Sequence, residues 1–228
     1  MPGTLMTHAS RPGPIAPVSH TLLLVAIFVA IGVGGGFARQ SGAVANPSKS
    51  FVVPLYLSVL ASEWVLVWVV SRGIKGSGVT LRDLIGGRWA GVGAVARDVA
   101  LAAAVWVVWL VIQAAIRGPG GAGGLLPDTP TERAVWVVLA LSAGFCEELV
   151  FRGYLQRQFA ALTGSAFAGI VLQGIVFGFG HLYEGTIAVA RIVCFGFLFG
   201  ALAQWRRSLR PGMLAHGWSD LTGALFHR

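Results

Sequence analysis

Apolar residues in this chain come in long runs separated by short polar joints. The runs lie at about 21–37, 51–70, 95–116, 165–181, 186–205 and 211–226, and residues 132–162 read as one longer helix. A helix needs roughly 20 apolar residues to cross a bilayer, so the pattern predicts an all-α, polytopic integral membrane bundle of about seven transmembrane helices. The long helix would run about 45 Å at 1.5 Å per residue. Its polar second half, 152–158, should leave the hydrocarbon, and Gly164 should break it. Pro211 suits the first turn of the last span.

The joints divide the chain. Residues 1–20 are Pro- and Gly-rich without an apolar period and read as a flexible tail. Residues 21–117 hold three spans and a basic loop, in which Thr80-Leu-Arg-Asp-Leu-Ile predicts a short interfacial helix. The first run is read as a retained helix, because Ala38-Arg39-Gln40 is a poor signal-cleavage site. Residues 118–131 form a Gly/Pro-rich flexible linker, the clearest internal boundary. Residues 132–228 hold the remaining four helices.

Composition narrows the class further. Of the 228 residues, 55% are hydrophobic and 11% charged, against about 25% charged in a soluble domain. That excludes an ordinary cytosolic globule and a disordered chain. Two cysteines, Cys146 and Cys194, both in apolar runs, do not make a disulfide scaffold.

The net charge is +8. The basic residues sit between apolar runs, not along one face, so membrane topology explains them and nucleic acid is not an expected partner. With seven spans, one side collects Arg11, Arg72, Lys75, Arg82, Arg88, Arg157, Arg206, Arg207 and Arg210; the other holds Arg39, Lys49, Arg117, Arg133 and Arg228. The expected location is a cell membrane, multi-pass, with the N-terminus cytoplasmic.

Acidic and imidazole groups inside apolar runs mark sites, relays or paths, because each costs a few kcal/mol or more facing lipid. Glu147 and Glu148 are adjacent in mid-helix and diverge by about 100°, so they cannot do the same job. Glu148 can pair with Arg152 four residues on. His181 ends Phe177-Gly-Phe-Gly-His181, and Glu147 and His181 lie equally far from Gly164, so antiparallel helices turning there hold them at one depth. His216 and Asp220 share a helix face. One tension is that His216 lies near the start of its span and His181 near the end of its own.

Other polar positions have plainer readings. Glu63 is expected to serve packing or to lie at the interface, with cavity lining or pairing with a basic residue as the alternative. Asp98 after Arg97 reads as a solvated helix start, and Arg191 as a snorkelling cation. Cys146 reads as core. The pairs Gly32/Gly36, Gly174/Gly178 and Gly196/Gly200 read as close helix packing within one bundle.

Taken in order, Glu147-Glu148-x-x-x-Arg152, Phe177-x-x-x-His181 and His216-x-x-x-Asp220 resemble the motifs of the CPBP intramembrane proteases, the CAAX-protease and bacteriocin-processing (Abi) group. The resemblance covers 132–228, that family's four-helix core. It implies an endopeptidase acting on a membrane-associated protein or peptide within the lipid bilayer. By position, Glu147 would be the general base and His181 would help hold the attacking water. Glu148 with Arg152 would orient the helix, and His216 with Asp220 would polarise the scissile carbonyl or stabilise its oxyanion. The third motif often ends in Asn, so Asp220 is a variant. Members of the family have been described both as metal-dependent and as metal-free glutamate peptidases. Glu147, His181 and His216 would suit zinc with one open position, and no His-Glu-x-x-His is present, so both alternatives stay open. Two rival functions remain: a non-catalytic immunity or scaffold protein, and a small ion-coupled transporter.

Overall fold

The computed structural model describes residues 13–118, 121 and 123–225. Among these the chain is all helix and turn. Its elements are α1 (Val18–Gln40), α2 (Lys49–Gly73), α3 (Leu81–Ile85), α4 (Val92–Ala115), α5 (Pro130–Glu147), α6 (Gln156–Thr163), α7 (Ala166–Gly180), α8 (Thr186–Arg206) and α9 (Arg210–Leu225). A π-helical stretch, Glu148–Leu155, joins α5 to α6, so Pro130–Thr163 forms one continuous rod. Five helices are long and apolar enough to cross a membrane: α1, α2, α4, that rod and α8. α7 and α9, predicted as full spans, have 15 and 16 residues.

Local chemistry sets the boundaries. Thr129 caps α5 in a capping box with Glu132, and Pro130 occupies the first turn. The same device, Thr80 with Asp83, starts α3. Gly164, at φ 69°, provides the left-handed turn between α6 and α7.

Hydrogen bonds between connections define the two ends of the bundle. At one end Gly121 N–H donates to the Glu184 carbonyl at 2.9 Å, Arg39 to the Tyr183 carbonyl at 3.1 Å, and the Tyr56 hydroxyl to the Leu125 carbonyl. At the other, Leu209 N–H donates to the Ile85 carbonyl at 3.0 Å, Arg157 to the Asp83 and Leu84 carbonyls at 3.1 Å, and Arg210 to the Gly86 and Gly87 carbonyls.

Several expectations change. The 1–20 tail reading falls partly outside the described residues. Within them α1 already begins at Val18, and Gln158 holds the preceding segment by accepting from Ile15 N–H and donating to the Ala16 carbonyl. The described part of the linker packs as well: Gly123–Leu125 forms a 3-10 turn whose last carbonyl takes the Tyr56 hydroxyl. Asp98 is no solvated start. It is 1% exposed and accepts from Trp89 Nε1 at 2.9 Å and Arg206 at 3.3 Å, tying α4 to α8. Arg191 does not snorkel free; it donates to the Ile116 and Gly118 carbonyls at 2.7 and 3.0 Å.

The glycine pairs pack helices inside the bundle. A Cβ on Gly196 would lie 2.6 Å from the Gly174 Cα, where α7 crosses α8. Gly196→Ala is therefore expected to destabilise by roughly 1–3 kcal/mol through overpacking. Gly34→Ala, where a Cβ meets nothing within 4 Å, should be neutral or slightly stabilising, since Ala favours a helix. Thermal unfolding of the two variants in one detergent checks the contrast.

Candidate active site

The site is built on the rod, α7 and α9. At Glu147 the rod changes from α to π winding, a local register change that recurs at functional sites. Glu148 is fully buried and Glu147 is not. Two adjacent carboxylates thus face different surroundings, as the angular argument required.

Glu148 Oε1 lies 3.2 Å from Arg152 Nη1 and 3.0 Å from His216 Nδ1. The Arg152 guanidinium is buried and lies over the Phe177 ring, 4.5 Å from its centroid, with Phe195 and Phe199 also within cation–π range. Glu148 therefore links the rod to α9, and Arg152 links it to α7 and α8. Close approach of α5 to α9 makes this possible: a Cβ on Gly144 would sit 2.7 Å from Gly217 N and 2.9 Å from the Met213 carbonyl. No sequence spacing pointed to Gly144 and Gly217, which lie on helices far apart in the chain.

His216 is oriented by its partners. The Glu148 carboxylate engages Nδ1, which leaves Nε2 to face Glu147 at 3.6 Å and Asp220 at 3.7 Å. His181 is set differently. Its Nδ1–H donates to the Phe177 carbonyl at 2.8 Å, because a carbonyl only accepts. Nε2 is then the nitrogen left free on the neutral ring.

Glu147, His181, His216 and Asp220 line one cavity of about 620 Å³. The depth tension resolves through helix length. α7 has 15 residues, about 22 Å at 1.5 Å per residue, short of the roughly 30 Å hydrocarbon core. Its terminal His181 therefore stops inside the bundle and reaches the cavity that His216 enters from the other end.

Glu63 of α2 was expected to serve packing or an interface. It lines this cavity instead, 6% exposed, with Ser142 beside it and Oε2 without a partner. The only sequence signal for it was an acid within an apolar run. Cys146 is buried, as read, with its sulfur 3.7 Å from the Ser142 hydroxyl.

A zinc ion would need at least three donors gathered around one point. Among the described residues, no three His, Cys, Asp or Glu side chains are grouped to hold a metal ion. His216 and His181 hold Nδ1 on the Glu148 carboxylate and the Phe177 carbonyl, which leaves Nε2 as the nitrogen a metal would take. The donor types suit zinc, but Glu147, His181 and His216 are not drawn together around one point in this arrangement.

Removing one partner of a buried ion pair leaves the other charge uncompensated, typically at about 3–5 kcal/mol. Arg152→Met is expected to lose stability on that scale in a detergent melt. Arg152→Lys should recover only part of it, because an ammonium lacks the planar face that lies over Phe177.

No match was found among curated proteins or among solved structures. A family model does match. It covers the rod, α7, α8 and most of α9, the segment that carries all three motifs. Residues 129–222 are thereby similar to the family described as Rce1-like, type II CAAX prenyl endopeptidase, the resemblance that the motifs themselves carry.

Proposed function

We propose that this chain is an intramembrane endopeptidase of the CAAX-protease type, hydrolysing a peptide bond of a membrane-associated protein or peptide. The observation that carries the reading is the convergence of Glu147, Asp220 and His216 Nε2 within 3.7 Å, in a cavity also lined by His181. The family match supports the same class of reaction over residues 129–222.

The chemistry follows from what each group can do. Glu147 is partly exposed to the cavity and is the carboxylate free to take a proton from water. His181 Nε2 accepts the second hydrogen bond of that water and aims its oxygen at the scissile carbonyl. As the carbon–oxygen bond forms, charge develops on the carbonyl oxygen. His216, fixed through Nδ1 by Glu148, presents Nε2 to that oxygen and donates to it when Nε2 carries a proton. Donors held in place before the reaction stabilise such an oxyanion without reorganising. Glu147 then passes its proton to the departing amine as the carbon–nitrogen bond breaks. Asp220, where related motifs often carry Asn, acts through His216 as a positioning residue. Glu148 and Arg152 keep α9 and the rod in register. Every step uses side chains of this chain, and none requires a metal.

General acid–base groups contribute typically 10²–10⁴-fold. Glu147→Gln and His181→Asn should each lower the cleavage rate by about that factor, while the melting temperature stays near wild type. The measurement is cleavage of a membrane-peptide library by purified protein in lipid, read by mass spectrometry. Wild type that cuts nothing, or variants that cut as fast as wild type, would remove the enzyme reading in favour of a scaffold or a transporter. A chelator should leave the rate unchanged, and metal content by elemental analysis should not track activity across preparations.

A further inference from the structure

The reaction cavity opens at one end of the bundle. Its rim is built by Gly118, Gly121, Gly123 and Leu126 between α4 and α5, and by Tyr183 and Glu184 after α7. These are the connections already joined by the Gly121–Glu184 and Tyr56–Leu125 hydrogen bonds. Among the described residues, no lining position comes from the opposite end, where Leu84 of α3 and Leu209 of the α8–α9 turn pack on the π-helical stretch at Gly153. A separate cavity of about 590 Å³ lies at that opposite end, bordered by Arg152, Arg157, Arg207 and Gln204 and by no acid or histidine. The buried Glu148–Arg152 pair lies between the two cavities: Arg152 borders the second, and Glu148 holds His216 of the first.

The two ends also differ in charge. The closed end carries Lys75, Arg82, Arg88, Arg157, Arg207 and Arg210 in short connections or at helix ends; the rim end carries Arg39, Lys49, Arg117 and Arg133. An excess of Lys and Arg in short loops marks the cytoplasmic side. We propose that the cavity mouth faces away from the cytoplasm, so that its substrates are polypeptide segments presented on the non-cytoplasmic face: exported peptides, or the stretch of an anchored protein just outside the membrane on that side. The substrate class rests on the peptidase reading of the site. The direction of access rests only on the rim, the floor and the charges.

The test is cysteine accessibility in intact cells making the full chain. Lys49→Cys, Lys75→Cys and Gly223→Cys are introduced singly with Cys146 and Cys194 replaced by Ala, and in parallel on the native cysteines with wild type as baseline. Lys49 and Lys75 are exposed at opposite ends, and Gly223 lines the cavity, with nothing within 4 Å of an added Cβ. A membrane-impermeant maleimide is applied before or after permeabilisation. The expected result is that Lys49→Cys and Gly223→Cys label in intact cells, and that Lys75→Cys labels only after permeabilisation. Gly223→Cys that labels only after permeabilisation, or from neither side, overturns the proposal, as does labelling of Lys75→Cys in intact cells. Labelling needs no cleavage. A protein that labels as expected but cuts nothing would overturn the peptidase reading alone.

Discussion

The Glu148–Arg152 pair is a full charge pair inside an apolar bundle, and the site is arranged around it. Taking two ions out of water costs several kcal/mol each after relaxation, and their attraction offsets this only with further hydrogen bonds and good geometry. Here the further partners are His216 Nδ1 on the carboxylate side and the Phe177 face on the guanidinium side. Each belongs to a different helix. Placing these partners around the pair brings α9 and α7 to defined positions against the rod, and those helices carry the two imidazoles, while Glu148 Oε2 and the guanidinium nitrogens keep no hydrogen-bond partner of their own. A hydrophobic substitute of the same volume would pack, but it would not select the His216 ring orientation that leaves Nε2 facing Glu147.

Around that pair the cavity gathers more acid than base. Glu63, Glu147 and Asp220 line it with His181 and His216, while Glu148 lies beneath and is taken up by Arg152. Such a set is tolerable within a membrane-spanning bundle only where water or paired groups solvate it. The geometry provides this for part of the set: Glu147 and Asp220 keep 23% and 33% of their side-chain surface and Glu148 has Arg152, whereas Glu63 is 6% exposed and leaves Oε2 without a partner. Two adjacent residues of one helix thereby take opposite tasks: one carboxylate fixes structure, and the other stays available to water.

Much of this was legible in the sequence, for identifiable reasons. Charges inside apolar runs are costly, so Glu147, Glu148, Arg152, His181, His216 and Asp220 stood out without any structure, and the i,i+4 spacing of Glu148 and Arg152 predicted the contact observed at 3.2 Å. Periodicity gave helices and their approximate ends. What stayed hidden was long-range. Asp98 looked solvated because its partners Arg206 and Arg210 come more than a hundred residues later. Glu63 could not be placed, because a helix rotation decides between cavity and lipid, and the run around it is apolar on all sides. Gly144 and Gly217 carried no shared spacing, since two helices approaching from different parts of the chain leave none. The π-helical stretch was also invisible, because its residues have no composition that distinguishes them from an α-helix.

Helix length is where fold and chemistry meet. A bundle of seven full spans would put a helix-terminal His181 at a membrane surface and leave His216 far from it. α7 and α9 instead have 15 and 16 residues, so neither traverses about 30 Å of hydrocarbon unaided. The end of α7 comes to lie against the middle of α1, where a Cβ on Gly32 would meet the Phe179 carbonyl, and there a backbone that stops being helical is tolerated only if protein or a watery cavity surrounds it. The chain provides that cavity at the same place, walled by α2, α4, the rod and α8. The end of α7 therefore does two things at once. It leaves the last carbonyls of a helix to be satisfied locally, the Phe177 carbonyl by the His181 ring, and it leaves the other nitrogen of that ring for the cavity that Glu147 also lines.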